Sequence, residues 1–362
     1  MNIILWLLVL WFLSSSKLFA AEATSKWKAD WAASLSAAEQ EARLVIYGPR
    51  GHHQQTLYTD VFRKTLPKIQ VNYTGGRMSE IISRIMAEQR AGVRQLDLVL
   101  GGTDILLGTL KDGGLLQSVR QLLILPEVLD TSGWFQKKLW FADTENQYIP
   151  MWRAMPYLSA CVNTNLVKPG EIKSYWDLLN PKWKGKIASQ DLSIGSARNQ
   201  MYAVYVRQDL GEKYLRRLFG EMDITFSRNL TQLGDWLAAG KFAIGLGGVD
   251  CVELDGKGLP VKPVFLEGLG AVGAGTDPAA LLKTAPHPNA AKVFLNWILT
   301  REGQTAFQEM TKENSLRVDI PKDGLHPAYV LDPKREYLFT GLEEHKDKIN
   351  AFRPWLESLA KR

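Results

Sequence analysis

The stretch LVIYGPRGHHQQTLYTDVF, residues 44–62, sets the pattern from which the fold class follows. Its first four residues are an apolar run typical of a buried strand, and a loop rich in Gly and Pro comes next. Leu57, Val61 and Phe62 then recur at helical spacing. This order of strand, loop and amphipathic helix predicts one unit of an α/β fold.

The same order returns along the chain. Further strands are predicted at residues 69–73, 96–100, 186–189 and 242–246, each ending in a loop with Gly or Ser. Helices are predicted with Ser79 and Asn289 as N-caps, and another from about Ser196 with Met201, Val204 and Tyr205 facing inward. Such alternation predicts an α/β fold with largely parallel sheets, in which ligands bind at the carboxyl ends of strands.

The N-terminus carries an apolar run from Ile3 to Leu13, about half the length that a membrane-spanning helix needs. Small residues follow it, and cleavage after Ala23 satisfies the A-x-A pattern, with Ala20 as the rival position. These features predict a cleaved signal peptide, residues 1–23, and a periplasmic protein. No Lys or Arg precedes the run, so an uncleaved anchor is the alternative. About 340 residues remain, which indicates two domains.

Charge and cysteine content exclude some classes of protein. The net charge is +6, but Lys and Arg are scattered among acidic residues, which argues against nucleic-acid binding. Cys161 and Cys251 are the two cysteines. In an oxidising compartment they form either a disulfide or two separate buried thiols. No Cys and His spacing typical of a metal site occurs.

Four segments carry a more specific signal. They are AEQRAGVRQLDLVL (87–100), CVNTNLVKPGEI (161–172), SYWDLLNPKWKGKI (174–187) and HPNAAKVFLNWILTREGQTAFQE (287–309). In this order they resemble segments of the iron-type family of bacterial extracellular solute-binding proteins. The match covers most of the chain beyond the predicted signal peptide.

The resemblance implies a type II periplasmic-binding fold, with two α/β lobes, a hinge and a central ligand cleft. Lobe one is then residues 24–153 plus 267–362, and lobe two is residues 154–266. Such a protein is a monomer without cofactor or enzymatic activity. It closes around a small ligand by hinge motion and delivers it to an ABC permease in the inner membrane. A ligand-sensing role is an alternative.

The candidate ligand-binding residues lie on loops after strands or beside the first crossover. They are Arg50 and His52 after the first strand, Arg77 and Ser79 after the second, Thr103 after the third, Arg153 before the crossover, Ser193 and Ser196 at a helix start in lobe two, and Asp250 after a later strand. Helix N-termini and the forked guanidinium group both favour anions. We therefore expect a small anionic organic ligand.

Ferric ion is the alternative ligand. Iron-binding members of the family typically provide adjacent tyrosines after the strand that here ends near Leu246, but residues 247–252 read GGVDCV. Without those tyrosines, His52 and Asp250 are the remaining candidate iron ligands.

A secreted enzyme is the alternative from another class of protein. G-x-S-x-G, H-E-x-x-H and P-loop motifs are missing from the sequence. Gly268, Gly270 and Gly273 match the dinucleotide-binding pattern. No acidic residue follows about 20 residues later to hold a ribose, so this stretch is interpreted as a glycine-rich return segment between lobes.

Overall fold

The computed structural model describes residues 26–274 and 278–360; the predicted signal peptide, residues 1–23, lies outside them. The strands are β1 (Arg43–Pro49), β2 (Gln70–Gly76), β3 (Leu98–Leu100), β4 (Ala154–Pro156), β5 (Ala160–Asn163), β6 (Ile187–Gln190), β7 (Thr225–Ser227), β8 (Ile244–Leu246), β9 (Val261–Val264), β10 (Gly270–Ala274), β11 (Ala279–Leu281) and β12 (Tyr337–Phe339). The five predicted strands correspond to β1, β2, β3, β6 and β8.

The helices alternate with these strands. They are α1 (26–41), α2 (His52–Thr56), α3 (Phe62–Thr65), α4 (Met78–Arg90), α5 (Thr103–Ile105), α6 (Pro126–Leu129), α7 (Gly195–Tyr205), α8 (Gly211–Glu221), α9 (Leu230–Ala238), α10 (Cys251–Gly256), α11 (Pro288–Leu299), α12 (Arg301–Thr311) and α13 (Glu343–Leu359). Wider π-helical turns, Leu57–Val61 and Leu106–Lys111, join α2 to α3 and continue α5. Short 3₁₀ turns include Tyr175–Leu179 and Pro327–Tyr329.

The first sheet has the strand order β11-β3-β1-β2. Strand β1 runs parallel to β2 and β3, whereas β11 is antiparallel to β3. Five successive residues of β1, from Leu44 to Gly48, are buried. An apolar strand without polar alternation fits the centre of a parallel sheet, because helices cover both of its faces.

The second sheet repeats this plan with the order β7-β6-β8-β5-β9. Strand β6 is parallel to β7 and β8, and β5 is antiparallel to β8 and β9. A third, small sheet, β12-β10-β4, forms where the chain leaves the first sheet and returns to it. The predicted glycine-rich return segment supplies β10. A Cβ atom on Gly273 would lie 2.9 Å from the Tyr157 hydroxyl, so the two crossing segments pack closely only around glycine.

Each large sheet has its own hydrophobic core. The first core contains β1, β3 and helix α11, whose predicted apolar stripe, including Phe294 and Ile298, is fully buried. The second core contains β6, β8, α7 and α8. Helix α13 also packs into the second core through Phe352 and Leu356, although the sequence-based division assigned its residues to lobe one. Tyr205 is 37% exposed instead of inward-facing, and its ring lies 4.7 Å from that of Phe352.

Two helix starts differ from the sequence prediction. Helix α4 begins at Met78 with Arg77 as its N-cap, so the prediction of Ser79 as the cap is wrong. Helix α11 begins at Pro288 with His287 as its N-cap, so Asn289 lies inside the first turn. Proline favours the first helical position because its fixed φ suits a helix and it lacks an N–H.

A carboxylate from another helix makes the side-chain cap at Asn289 unnecessary. Glu41 accepts hydrogen bonds from the backbone N–H groups of Asn289 and Ala290, at 3.2 and 2.7 Å. These are two of the N–H groups at a helix start that have no partner within the helix.

Candidate functional site

A cavity of about 270 Å³ lies at the carboxyl end of β8, against the segment that crosses between the two large sheets. Its lining residues are Met155, Pro156, Tyr157, Leu158, Ala160, Cys161, Gln200, Leu230, Gly245, Gly247, Gly248, Val249, Asp250, Cys251, Val252 and Tyr329. Tyr329 comes from the neighbourhood of Leu331, which packs in the first core. The walls of the cavity therefore come from the second sheet, from the crossover segment and from the part of the fold that surrounds the first sheet.

The turn after β8 forms the floor of this cavity. Gly247 and Gly248 both have positive φ, +67° and +65°, a conformation that glycine adopts without strain. A Cβ atom on Gly248 would lie 2.5 Å from Oε1 of Gln190, so no larger residue fits without displacing that side chain. The Ser196 hydroxyl donates to the same Oε1 at 2.7 Å. Ser196 thus hydrogen-bonds the side chain that packs against the turn, and it is not among the residues that line the cavity.

The hydroxyl and the backbone N–H of Ser193 are also hydrogen-bonded within their own turn. Its hydroxyl donates to Oδ1 of Asp191 at 2.6 Å, and its backbone N–H donates to the same oxygen at 2.9 Å. These bonds close the turn that leads into α7. Ser193 is not among the residues that line the cavity.

Asp250 is the predicted site residue that does line the cavity. Its carboxylate caps α10 by accepting from the backbone N–H of Glu253 at 3.3 Å. Burial raises the pKa of this carboxyl above its usual range, and the hydrogen bond and charge of the Glu253 side chain raise it further. Asp250 therefore presents an acidic oxygen to the cavity that is only partly solvated.

Two tyrosines that the sequence analysis did not single out line the same cavity. Burial raises the pKa of Tyr157, while a hydrogen bond with the side chain of Asn199 and the charges of Arg153 and Arg198 lower it. Burial and nearby carboxylates raise the pKa of Tyr329 to about 12. Both hydroxyls are consequently protonated at neutral pH and able to donate a hydrogen bond.

Arg153 and Arg198 both act on the Tyr157 hydroxyl. Arg153 pairs with Glu313, with 2.8 Å between Nη2 and Oε1, and its side chain is 11% exposed. Arg198 lies in the first turns of α7. Among the described residues no acceptor contacts its buried Nε, and no carboxylate lies within ion-pair distance of it.

The predicted residues of the first half lie at the carboxyl edge of the first sheet. Arg50 and Arg77 are 71% and 77% exposed, and each has a guanidinium nitrogen 3.8 Å from a carboxylate oxygen of Glu80. A Cβ atom on Gly102 would be 3.6 Å from Cγ of Met78, so the loops after β2 and β3 adjoin. His52 and Ser79 are exposed, and Thr103 is buried. None of Arg50, His52, Arg77, Ser79 or Thr103 lines the cavity.

The structure separates the two residues named as candidate iron ligands, because Asp250 lines the cavity and His52 does not. Within residues 26–274 and 278–360, no group of three or more His, Cys, Asp and Glu side chains is arranged to hold a metal ion. In the same part of the chain, every helix is too short or too polar to cross a membrane.

Solved structures with a similar fold cover nearly the whole chain. Iron-bound HitA from Pseudomonas aeruginosa is 19% identical, with a TM-score of 0.64 over 87% of this chain and 99% of that chain. AfuA from Actinobacillus pleuropneumoniae, with bound fructose-6-phosphate, is 20% identical, with a TM-score of 0.60 over 88% and 99%. The spermidine/putrescine-binding protein PotD from Streptococcus pneumoniae is 15% identical, with a TM-score of 0.64 over 88% and 99%. The predicted type II periplasmic-binding fold is thereby confirmed.

The family itself follows from the sequence match. No curated protein matches the chain. The family model described as bacterial extracellular solute-binding protein matches residues 52–305, which is more than half of the chain. The four segments singled out in the sequence fall within or overlap this range. The chain belongs to the family of bacterial extracellular solute-binding proteins.

Proposed function

We propose that the protein is the periplasmic binding component of an ABC importer, which captures a small organic solute and delivers it to a permease in the inner membrane. The observation that carries this proposal is the cavity whose walls come from both halves of a solute-binding fold. Ligands of open α/β sheets bind at the carboxyl ends of strands, which is where β8 and the turn after it meet the cavity. The proposed role is binding and release, without chemical conversion.

The proposed lobes follow the sheets. Lobe one comprises residues 24–153 and a return segment from residue 267, and lobe two comprises residues 154–266. Because Phe352 and Leu356 of α13 are buried in the second core, we assign that helix to lobe two. The crossing strands β4 and β10, which are paired antiparallel, form the proposed hinge.

We propose further that the solute carries an anionic group, which binds near Arg198. Arg50, Arg77 and Arg153 each have a carboxylate within 4 Å, whereas Arg198 has none among the described residues. A guanidinium offers two parallel N–H groups to a carboxylate or phosphate. Arg198 is not among the residues that line the cavity, but its charge acts on Tyr157, which does line it, and its Nε–H has no acceptor among the described residues. Arg198 therefore has both the charge and a donor for an anionic group bound beside Tyr157.

A thermal-shift and scattering experiment tests this function. Mature protein, from residue 24, is screened against carboxylates, sugar phosphates, polyamines, thiamine and ferric citrate. A solute that binds only the folded protein raises the melting temperature. We expect at least one anionic solute to raise it, and the same solute to reduce the radius of gyration. The proposal fails if no solute of any class produces either effect.

Ferric ion remains a second candidate because Tyr157, Tyr329 and Asp250 line one cavity. These oxygen donors suit a hard cation once they are deprotonated. The raised pKa of both tyrosines opposes phenolate formation, so iron would have to displace two tightly held protons. A visible charge-transfer band with ferric citrate that disappears in Tyr157→Phe supports iron, and a colourless complex excludes phenolate ligation.

A further inference from the structure

The carboxyl group of Asp250, at one end of the cavity, forms no ion pair of its own within the described part of the chain. Among the described residues no Lys, Arg or His nitrogen lies within 4 Å of Asp250, while its neighbour Glu253 forms an ion pair with Lys257. Lys257, the positively charged residue at the C-terminal end of α10, thus already pairs with Glu253. Two carboxyl groups, those of Asp250 and Glu253, therefore share the single positive charge of Lys257, and Asp250 is the one that lines the cavity.

The charged groups that act on Tyr329 are mostly negative. Besides burial, the charges of Asp250, Glu313 and Glu253 raise its pKa, and Arg153 alone among the main contributors lowers it. Arg153 is itself bonded to Glu313. The groups around Tyr329 therefore create a negative potential, which favours a cation over an anion.

The walls beside Asp250 suit an organic cation. The phenol rings of Tyr157 and Tyr329 and the aliphatic side chains of Leu158 and Val249 line the cavity. Aromatic rings attract ammonium groups through their negative faces, and a carboxylate adds a charge-assisted hydrogen bond. A volume of about 270 Å³ is below that of typical drug-sized pockets, so the ligand is small.

We infer that the ligand carries a positively charged amino group, which binds the carboxylate of Asp250 and the hydroxyl oxygen of Tyr329. The inference rests on the proposed function, because it takes the cavity as the solute site. With an anionic group near Arg198, the substrate class becomes small zwitterionic organic acids with an amino group and a carboxylate or phosphate at opposite ends. The Tyr329 hydroxyl accepts a hydrogen bond from the ammonium group while its own proton stays in place.

Matched ligands test this substrate class by isothermal titration calorimetry on the mature protein. The probes are a series of ω-amino acids from glycine to 5-aminopentanoate, the corresponding unsubstituted fatty acids, and the corresponding alkylamines. We expect one amino acid to bind at least tenfold more tightly than both its matched acid and its matched amine. Equal affinity of each amino acid and its matched acid, or no binding in any series, overturns the inference.

A charge-neutral variant of Asp250 tests whether the ammonium group of the ligand binds there. Asp250→Asn keeps an oxygen that accepts from the Glu253 N–H, so α10 stays capped, but the charge is lost. We expect the preference for the amino acid over its matched acid to fall to less than about twofold, which corresponds to the loss of one charge-assisted contact. The matched control is Glu212→Gln, which removes a charge from an exposed residue of α8 outside the cavity lining and should retain the preference.

The outcomes separate the two proposals. If Asp250→Asn retains the full preference, the assignment to Asp250 is wrong even though the protein binds solute. If sugar phosphates or ferric citrate raise the melting temperature and compact the protein while the amino acids do not, the inference is wrong and the solute-binding function stands. If no solute does so, the solute-binding function fails with it.

Discussion

Cys161 and Cys251 are joined by a disulfide, with their Cα atoms 5.7 Å apart and a separation of 90 positions in sequence. The bond connects strand β5, near the middle of the second sheet, to the first residue of α10, directly after Asp250. Both cysteines are buried and both line the cavity. Of the two alternatives left open by the sequence, the structure has the disulfide. The bond holds the start of α10, and with it Asp250, against the cavity floor.

Removing this disulfide should lower stability strongly. In the chain-entropy account, closing a loop of 90 residues stabilises the folded state by about 4–5 kcal/mol. For a protein of this size, that loss lowers the melting temperature by on the order of 10 °C. Calorimetry with and without a phosphine reductant checks the expectation. The double variant Cys161→Ser, Cys251→Ser should melt at the same temperature as the reduced protein and ignore the reductant; a variant as stable as the oxidised protein would contradict it.

Arg317 and Asp319 form an ion pair with a pH-dependent effect on stability. Arg317 is 1% exposed and donates to both carboxylate oxygens of Asp319, at 2.8 Å each. Its hydrogen bond, with that of Arg301, lowers the pKa of Asp319 to about 2. Because the folded pKa lies below the unfolded value, the pair stabilises fully above pH 4 and loses its effect as the pH falls toward 2. The lost contribution is about 2 kcal/mol.

Variants of Asp319 and Arg301 give the matching test. Asp319→Asn leaves a buried guanidinium without its counter-ion and should cost about 3–5 kcal/mol at pH 7 in urea unfolding. Arg301 contacts the same carboxylate but is 61% exposed, so Arg301→Ala should cost less than about 1 kcal/mol. Equal costs for the two variants would mean that burial of Arg317 does not determine the strength of the pair.

The parts of the fold that sequence could predict depend on local periodicity. The apolar run at residues 44–47 and the stripe that includes Phe294 were recognisable because strands and helices repeat every two and every 3.6 residues. Helix starts depend on more than local periodicity, since the carboxylate that caps α11 belongs to Glu41, about 250 residues earlier in the chain. No local pattern reveals a cap that comes from another helix.

The site was harder to predict than the fold for the same reason. Asp250 was identified because it follows a strand, and Arg153 because it precedes a crossover. The partner of Arg153 is Glu313, 160 residues later, and Tyr329 lies on a short 3₁₀ turn without any sequence signal. Tyr157 could have been predicted from sequence, because it lies in the same crossover as Arg153. Cavity residues of this kind meet only through the path of the chain, which periodicity does not encode.

Arginine variants distinguish the proposed anion site from the exposed edge of the first sheet. Arg198→Ala should weaken binding of an anionic solute at least tenfold, because a charge-assisted contact is worth about 1.4 kcal/mol or more. Arg77 is 77% exposed and lies beside Glu80, so Arg77→Ala is the matched control and should change affinity less than about twofold. Calorimetric titration measures both. If Arg77→Ala has the larger effect, the anion binds at the edge of the first sheet and not beside Tyr157.

Lys322 should make stability rise with pH in the alkaline range. Its amino group donates to Oε1 of Gln308 and to the carbonyl oxygen of Ser315, both at 2.8 Å, and burial lowers its pKa to about 8. The charge of Asp319 opposes this shift only in part. Because the folded pKa lies below that of an unfolded lysine, the unfolded chain holds the proton between pH 8 and about 10, and the free energy of unfolding increases across that window.

The increase should reach at most about 3 kcal/mol, since each unit of pKa shift corresponds to about 1.4 kcal/mol. Urea unfolding at pH 7 and pH 10 measures it as the difference between the native protein and two variants. Lys322→Met has no titrating group and Lys322→Arg keeps a cation that does not deprotonate in this range, so both should lose the increase relative to the native protein. The two variants should agree. If Lys322→Arg alone retains the increase, the rise comes from another group, and the amine of Lys322 is not the group that titrates.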